Sequence, residues 1–313
     1  MERAYLGGIS VSRIVLGCGN FGGIGSSPAF FGQGENKEQS FALMDAAWDA
    51  GITTFDTADA YGGGRSETYI GEWIASRRPD GLVLTTKTFN PMDEGEDHGL
   101  APARIRRQLE SSLRRLGVER VDLFLCHDWD PEVPIAETAG ALDVLVADGK
   151  VGAYGLSNVD GAHLREALAA GSFAWVQNSY SLLDRGVEDE VLPLCLERGL
   201  GFTPFSPLAG GWLTGKYRRD TPAPQGSRMT MRPEPYAHLR VDAVYDALER
   251  LGASGDEATL AFAWLLAQPA VTAVVVGPRR PEHLGPALAA LDTPIDVDTI
   301  SALFPRGWAA CEA

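Results

Sequence analysis

Short apolar runs alternate with longer amphipathic stretches along nearly the whole chain. Read as strands, the short runs cover residues 13–16, 53–55, 82–86, 121–126, 152–156, 175–177, 201–205 and 271–276. Several are continuous β-branched runs rather than alternating ones, as parallel strands buried on both faces require. The stretches between them carry helix punctuation. Asn36 with Gln39 has the spacing of a capping box and Gly51 closes that helix; Pro102 stands in a first turn and Gly117 follows the run 105–116. Gly149, Gly171 and Gly199 mark three further helix ends. Eight strand–helix periods predict an α/β fold, a (β/α)8 TIM barrel built with right-handed crossovers. Two leading runs, 3–6 and 9–12, predict an N-terminal β-hairpin closing the barrel floor. Periodicity alone leaves an open doubly wound sheet as the alternative. No linker divides the chain, so residues 1–313 are expected to form a single domain. The stretch 218–235, rich in proline, glycine and charge, is expected to be a long mobile loop.

Composition narrows the function classes. With 45% hydrophobic and 22% charged residues in 313, the chain is ordinary for a globular protein and long enough to need no staple. A net charge of −15 argues against nucleic acid or an anionic membrane as partner. Residues 1–10 carry charges and Gly7-Gly8 instead of the apolar run of a signal peptide, and no stretch has the apolar length of a membrane span. Cys18, Cys126, Cys195 and Cys311 are scattered without a C-x-x-C pair, which predicts a reduced, cytoplasmic protein with no metal site. Oligomeric state is left open.

Two motifs mislead. Gly17-Cys18-Gly19-Asn20-Phe21-Gly22 matches G-x-G-x-x-G after a strand, but residues 23–34 read as a loop containing Pro28, and the helix starts only near Lys37. A dinucleotide fingerprint needs a helix N-terminus at the third glycine, so the Rossmann reading fails. Residues 210–216 match G-x-x-x-x-G-K, yet Tyr217 stands where a P-loop needs Ser or Thr for magnesium.

The chemistry gathers at strand ends, where barrel enzymes place it. Asp56 ends the second strand, Lys87 the third and His127 the fourth, with Tyr61 in the loop after Asp56. Singly, each has a structural explanation: a turn-capping Asp, a snorkelling Lys, a satisfied His. Together they make a proton-donating set for carbonyl reduction. A tyrosine is a poor acid until a nearby cation stabilises its phenolate; Lys87 supplies that cation, Asp56 holds it, and His127 orients the carbonyl.

With these residues the chain resembles the aldo-keto reductase superfamily. The matching segments are Asp56-Thr57-Ala58-Asp59-Ala60-Tyr61-Gly62, Arg65-Ser66-Glu67, Thr86-Lys87, Asp122-Leu123 with His127, Gly155-Leu156-Ser157-Asn158, Gln177-Asn178, Ser206-Pro207-Leu208 and Gly277, in family order. The resemblance implies an Asp56–Tyr61–Lys87–His127 tetrad that reduces a small aldehyde or ketone, with Tyr61 as general acid and hydride from C4 of NADPH. It also implies that Ser157, Asn158 and Gln177 grip the cofactor's carboxamide and that Phe205 stacks on the nicotinamide. Ser206, Leu208 and the loop from Gly210 to Lys216 would cover the pyrophosphate.

After the eighth strand come Gly277, Arg279 and Arg280, and two arginines at a barrel phosphate site in so acidic a chain favour NADPH over NADH. Where similar sequences carry Gln and Asn on the next helix, this one has His283 and Ala287; Ala287 cannot hydrogen-bond the adenine, so affinity is expected to rest more on Arg279 and Arg280, with His283 a further candidate contact to the phosphate. Phe21, Phe30, Phe31, Trp129 and Trp212 are expected at the mouth, implying an apolar or cyclic carbonyl, while Asp128, Asp130 and Glu132 read as a solvated turn. The competing function is a cofactor-binding regulatory or interaction subunit with little turnover. The intact tetrad favours the enzyme.

Overall fold

The computed structural model describes residues 1–93, 95 and 97–307. Strands β1 (Arg3–Leu6) and β2 (Ile9–Ser12) form an antiparallel hairpin. The next eight strands are parallel: β3 (Ile14–Gly17), β4 (Thr54–Asp56), β5 (Val83–Thr88), β6 (Val121–Cys126), β7 (Val151–Ser157), β8 (Trp175–Gln177), β9 (Gly201–Phe202) and β10 (Val274–Val276). They neighbour one another in chain order from β3 to β9, with β10 beside β3. Thr272 N donates to Phe202 O at 2.8 Å and Val275 N to Pro204 O at 3.0 Å, which completes the ring. The expected (β/α)8 barrel is therefore what the chain forms. Strand β9 stops short of the expected 205 because Pro204 has no N–H to give to a ladder.

Alternation along each strand sorts side chains between two cores. Val83, Leu123, Leu125, Trp175 and Val275 point inward, and Leu6 and Val11 of the hairpin pack beneath them as the barrel floor. Leu84, Phe124, Tyr154 and Val176 point outward under the helices. Those helices include α1 (Lys37–Asp49), α2 (Arg65–Arg77), α3 (Pro102–Leu116), α4 (Ile135–Ala147), α5 (Gly161–Ala170) and α6 (Val191–Arg198). The Asn36–Gln39 capping box is complete, at 2.9 and 3.0 Å. Gly71 of α2 lets that helix touch α3: a Cβ there would sit 2.2 Å from Arg115 O.

Two local expectations differ from the structure. Gly171 ends α5 in extended backbone (φ −166°), not in the left-handed turn that Gly199 adopts (φ 65°). The stretch 218–235 is not a structureless loop, since it contains the short helix α7 (Arg228–Met231). Met229 is buried there and accepts a hydrogen bond from Trp212 Nε1 at 3.3 Å. A single buried methionine supplies the apolar anchor that the composition hides.

Cys18, Cys126 and Cys195 are buried thiols, and Cys311 lies outside the described residues. Among the described residues no helix is long and apolar enough to cross a membrane.

Candidate active site

The register brings three strand ends to one level: Asp56 pairs with Thr85, and Lys87 with Leu125. Lys87 is fully buried, and its Nζ donates to Asp56 Oδ1 at 2.5 Å and to Thr57 O at 2.8 Å. Its third contact is the Tyr61 oxygen at 3.4 Å. Asp56 is held from the other side by Gln177 Nε2 at 2.9 Å. Burial works against the Lys87 ammonium, but Asp56 and Tyr61 outweigh it and its pKa is raised. The lysine is a fixed cation.

His127 faces the same hydroxyl. Its Nε2 lies 3.4 Å from the Tyr61 oxygen, and Asn90 Nδ2 donates to its Nδ1 at 3.3 Å. Burial, then the Lys87 charge, holds the imidazole well below its ordinary pKa, so the ring is neutral. With Asn90 donating to Nδ1, the ring proton sits on Nε2 and points at Tyr61. The Tyr61 oxygen thus has two donors beside it, at 3.4 Å each, and lies on the cavity wall, where its own O–H can turn to a bound carbonyl. Burial raises the Tyr61 pKa and Lys87 only partly offsets that, so the phenol keeps its proton. The expectation that Lys87 would pull it down is met in sign but not in net effect.

Asp56, Tyr61 and His127 line a cavity of about 1020 Å³ together with Asn158, Gln177, Phe205, Ser206, Leu208, Gly210, Lys216, Gly277, Arg279 and His283. That volume stands at the top of the range for small-ligand sites. Asn158 (φ 56°) and Ser206 (φ 53°) sit in the left-handed region, where non-glycine residues are uncommon and functional sites over-represented. Asn158 is held there by Nδ2 donating to His127 O at 2.8 Å.

Several expected wall residues are elsewhere. Ser157 is buried behind Asn158, outside the wall. Phe21 and Trp212 are both 1% exposed and pack in the core. Trp129 stacks on His163 at 4.3 Å, and Phe30 lies under the Arg232 guanidinium at 5.4 Å; neither they nor Phe31 are on the wall. Loop aromatics carry no signal of which way they face. In their place the wall has Asn90 and Asp128. Asp130 is no solvated turn residue either: buried, it accepts from Leu100 N at 2.6 Å.

The phosphate expectation is also redistributed. Arg280 is 73% exposed, 4.0 Å from Glu282 and off the wall. Arg279 is on the wall, but its Nε is 2.9 Å from the buried Glu35, and its guanidinium also donates to Gly226 O at 2.8 Å. Lys216 and Arg228, both on the wall, form no ion pair among the described residues. The pKa of Lys216 is lowered by burial and by Arg279 and Arg228; that of Arg228 is lowered by burial, with Arg232 and Arg279 adding to it. Three crowded cations beside a single buried carboxylate, Glu35, in a chain of net charge −15, fit a phosphate-bearing ligand. Arg228 and Glu35 were missed because an isolated charge in a loop looks like surface.

The sequence model described as "Aldo/keto reductase family" matches residues 13–303. The "Uncharacterized oxidoreductase YrpG" of Bacillus subtilis (strain 168) is 36% identical over 97% of this chain and 95% of that protein. The "NADH-specific methylglyoxal reductase" of Escherichia coli (strain K12) is 32% identical over 93% of this chain and 94% of that protein. Among solved structures, the glycerol dehydrogenase AKR11B4 from Gluconobacter oxydans superposes with a TM-score of 0.81 at 27% identity, covering 96% of this chain and 95% of that one.

Proposed function

The chain belongs to the aldo/keto reductase family of oxidoreductases, and we propose that it reduces an aldehyde or ketone to the alcohol with NADPH, using Tyr61 as general acid. The observation that carries this reading is the Tyr61 oxygen on the cavity wall with Lys87 Nζ and His127 Nε2 each 3.4 Å away. When bound, the nicotinamide supplies the hydride. Tyr61 gives its proton to the carbonyl oxygen as that oxygen gains charge, and Lys87 holds the resulting phenolate until solvent reprotonates it. Neutral His127 directs Nε2–H at the Tyr61 oxygen, steadying the phenolate as it forms, and Asp56 keeps Lys87 in place.

For the cofactor, Asn158 and the Gln177 carbonyl would take the carboxamide, Phe205 would stack on the ring, and Ser206, Leu208 and Gly210 would cover the pyrophosphate. Lys216, Arg228, Arg279 and His283 would hold the phosphates. The preference for NADPH rests on Arg228 and Lys216 rather than on Arg280. It is the finer part of the reading, since one relative is named NADH-specific. The wall at Asn90 and Asp128 favours a small polar carbonyl over the apolar or cyclic one expected from the sequence.

Oxidation of NADPH and NADH is to be followed with a panel of aldehydes and ketones that includes methylglyoxal, and glycerol is to be tried in reverse. Turnover faster with NADPH supports the reading. No turnover with any substrate and either cofactor rejects it in favour of a non-catalytic cofactor-binding role.

A further inference from the structure

Alternation along β5 puts Lys87 inside the barrel and Thr86 and Thr88 outside it, toward the helices. Both threonines donate to buried carboxylates that flank Tyr61 in sequence: Thr86 Oγ1 to Glu67 Oε1 at 2.5 Å, and Thr88 Oγ1 to Asp59 Oδ2 at 2.6 Å. Glu67 is fully paired, because Arg115 Nε donates to its Oε2 at 2.7 Å. Asp59 differs. It is fully buried, and its Oδ1 has no hydrogen-bond partner among the described residues. Such an oxygen costs stability, and the chemistry derived above makes no use of it.

The contacts continue past Thr88. Arg104 of α3, 3% exposed, donates from NH1 to Thr88 Oγ1 at 2.9 Å and from NH2 to Asn90 O at 2.8 Å. Asn90 in turn holds His127 Nδ1. On the other side Asp59 N donates to Lys87 O at 3.0 Å. One line of hydrogen bonds, buried from Asp59 to Arg104 and half-buried beyond, therefore runs from the Tyr61 loop, across the back of the Lys87 strand, to His127.

We propose that Asp59, Thr88, Arg104 and Asn90 are positioning residues that lock Tyr61, Lys87 and His127 into one geometry, with Asp59 as the ionisable end of the line. Ionised Asp59 draws the Thr88 proton toward itself, which turns the Thr88 lone pairs to Arg104 and sets the guanidinium on Asn90. Burial pushes the Asp59 carboxyl up to about 7 against the Thr88 hydrogen bond; Glu67 of α2 adds to the rise, and Arg104 and Arg115 of α3 oppose it. Asp59 therefore takes up a proton as pH falls through neutrality. Thr88 then loses its charged acceptor, and the line slackens. A catalytic group displaced by a fraction of an ångström loses rate rather than affinity.

The inference rests on Tyr61 as general acid, so Tyr61→Phe is run beside the test variants. Asp59→Asn, Thr88→Val and Thr88→Ser are compared for NADPH dissociation constant, carbonyl KM, and kcat across the neutral pH range. Asp59→Asn and Thr88→Val should lose ~10-fold or more in kcat, keep both binding constants near wild type, and lack the wild-type inflection near neutrality. Thr88→Ser, which keeps the hydroxyl, should behave as wild type. Wild-type kcat and pH profile in Asp59→Asn overturn the proposal. Should that variant not fold, the same result in Thr88→Val overturns it, as does a Thr88→Ser variant no better than Thr88→Val. An active Tyr61→Phe rejects the general-acid reading itself; an inactive one beside a normal Thr88→Val rejects only the positioning line.

Discussion

Replacing Arg228 by Gln should weaken NADPH far more than NADH and leave the ligand-free protein at least as stable as before. The two halves have separate causes. Among the described residues the guanidinium makes one weak hydrogen bond, NH2 to Asn20 Oδ1 at 3.5 Å. Burial lowers its pKa, and Arg232 and Arg279 add to that despite the phenols of Tyr236 and Tyr217. A folded pKa held below the unfolded one means that the fold bears a penalty whenever the group is charged, which at neutral pH is always. Glutamine removes the penalty with the contact, so the change in unfolding free energy should stay within about 0.5 kcal/mol, typical of sites without a specific partner. A 2′-phosphate would instead turn the same charge into a charge-assisted hydrogen bond, of about 1.5–3 kcal/mol, or roughly 10- to 150-fold in dissociation constant. Fluorescence titration with each cofactor at low and high salt, with denaturant unfolding of the free protein, measures both halves. The salt dependence of NADPH binding should become shallower in the variant. Equal weakening of NADPH and NADH would sink the 2′-phosphate role, and clear destabilisation of the free protein would sink the account of Arg228 as a strained, ligand-seeking cation.

Tyr61→Phe should cut carbonyl reduction by at least ~100-fold with little change in melting, because Lys87 keeps Asp56 and Thr57 O as acceptors; steady-state rates within a few-fold of wild type refute the role. Arg279→Ala should strand Glu35, which is 3% exposed and whose carboxyl burial already pushes up against Arg279. Losing the cation raises that folded pKa further, so the destabilisation, about 1–3 kcal/mol, should grow as pH rises above the ordinary carboxylate range and shrink on acidification. A pH-independent loss, or an equal one in Arg280→Ala, contradicts the pairing. Gly71→Ala should destabilise by about 1–3 kcal/mol, although helix propensity alone favours alanine by up to ~1 kcal/mol, because the new Cβ meets Arg115 O at 2.2 Å. A stabilised variant in thermal unfolding would disprove the close approach of α2 and α3.

What could be read from the sequence follows from what periodicity encodes. Strand runs and glycine stops report backbone, so the barrel, its hairpin floor and the level of Asp56, Lys87 and His127 were legible. Side-chain direction within a loop is not periodic, which is why Phe21, Trp129 and Trp212 were misassigned to the mouth. Paired charges were equally hidden. Nothing local marks Arg279 as the partner of Glu35, a loop residue far away in sequence, or Arg228 as lacking an ion-pair partner among the described residues. One signal was available and unused. In Thr86-Lys87-Thr88 the alternation that turns the lysine inward must turn both threonines outward, so polar partners such as Asp59 and Glu67 were to be sought behind the site.

The completion of the ring by Thr272 and Val275 gives the barrel the mechanics of a split washer. Strands β4, β5 and β6 share continuous ladders and form its stiff arc, which bears Asp56, Lys87 and His127. The join lies between β9 and β10, and the segments leaving these two strands carry Phe205 to Lys216 and Gly277 to His283. Opening of the join would move these two segments relative to each other, while the ladders of β4, β5 and β6 would hold the distances around Tyr61. A molecule held by both segments would draw the washer closed. Substitutions that loosen the join would then be felt first as slower capture and faster release, well before they disturb proton transfer.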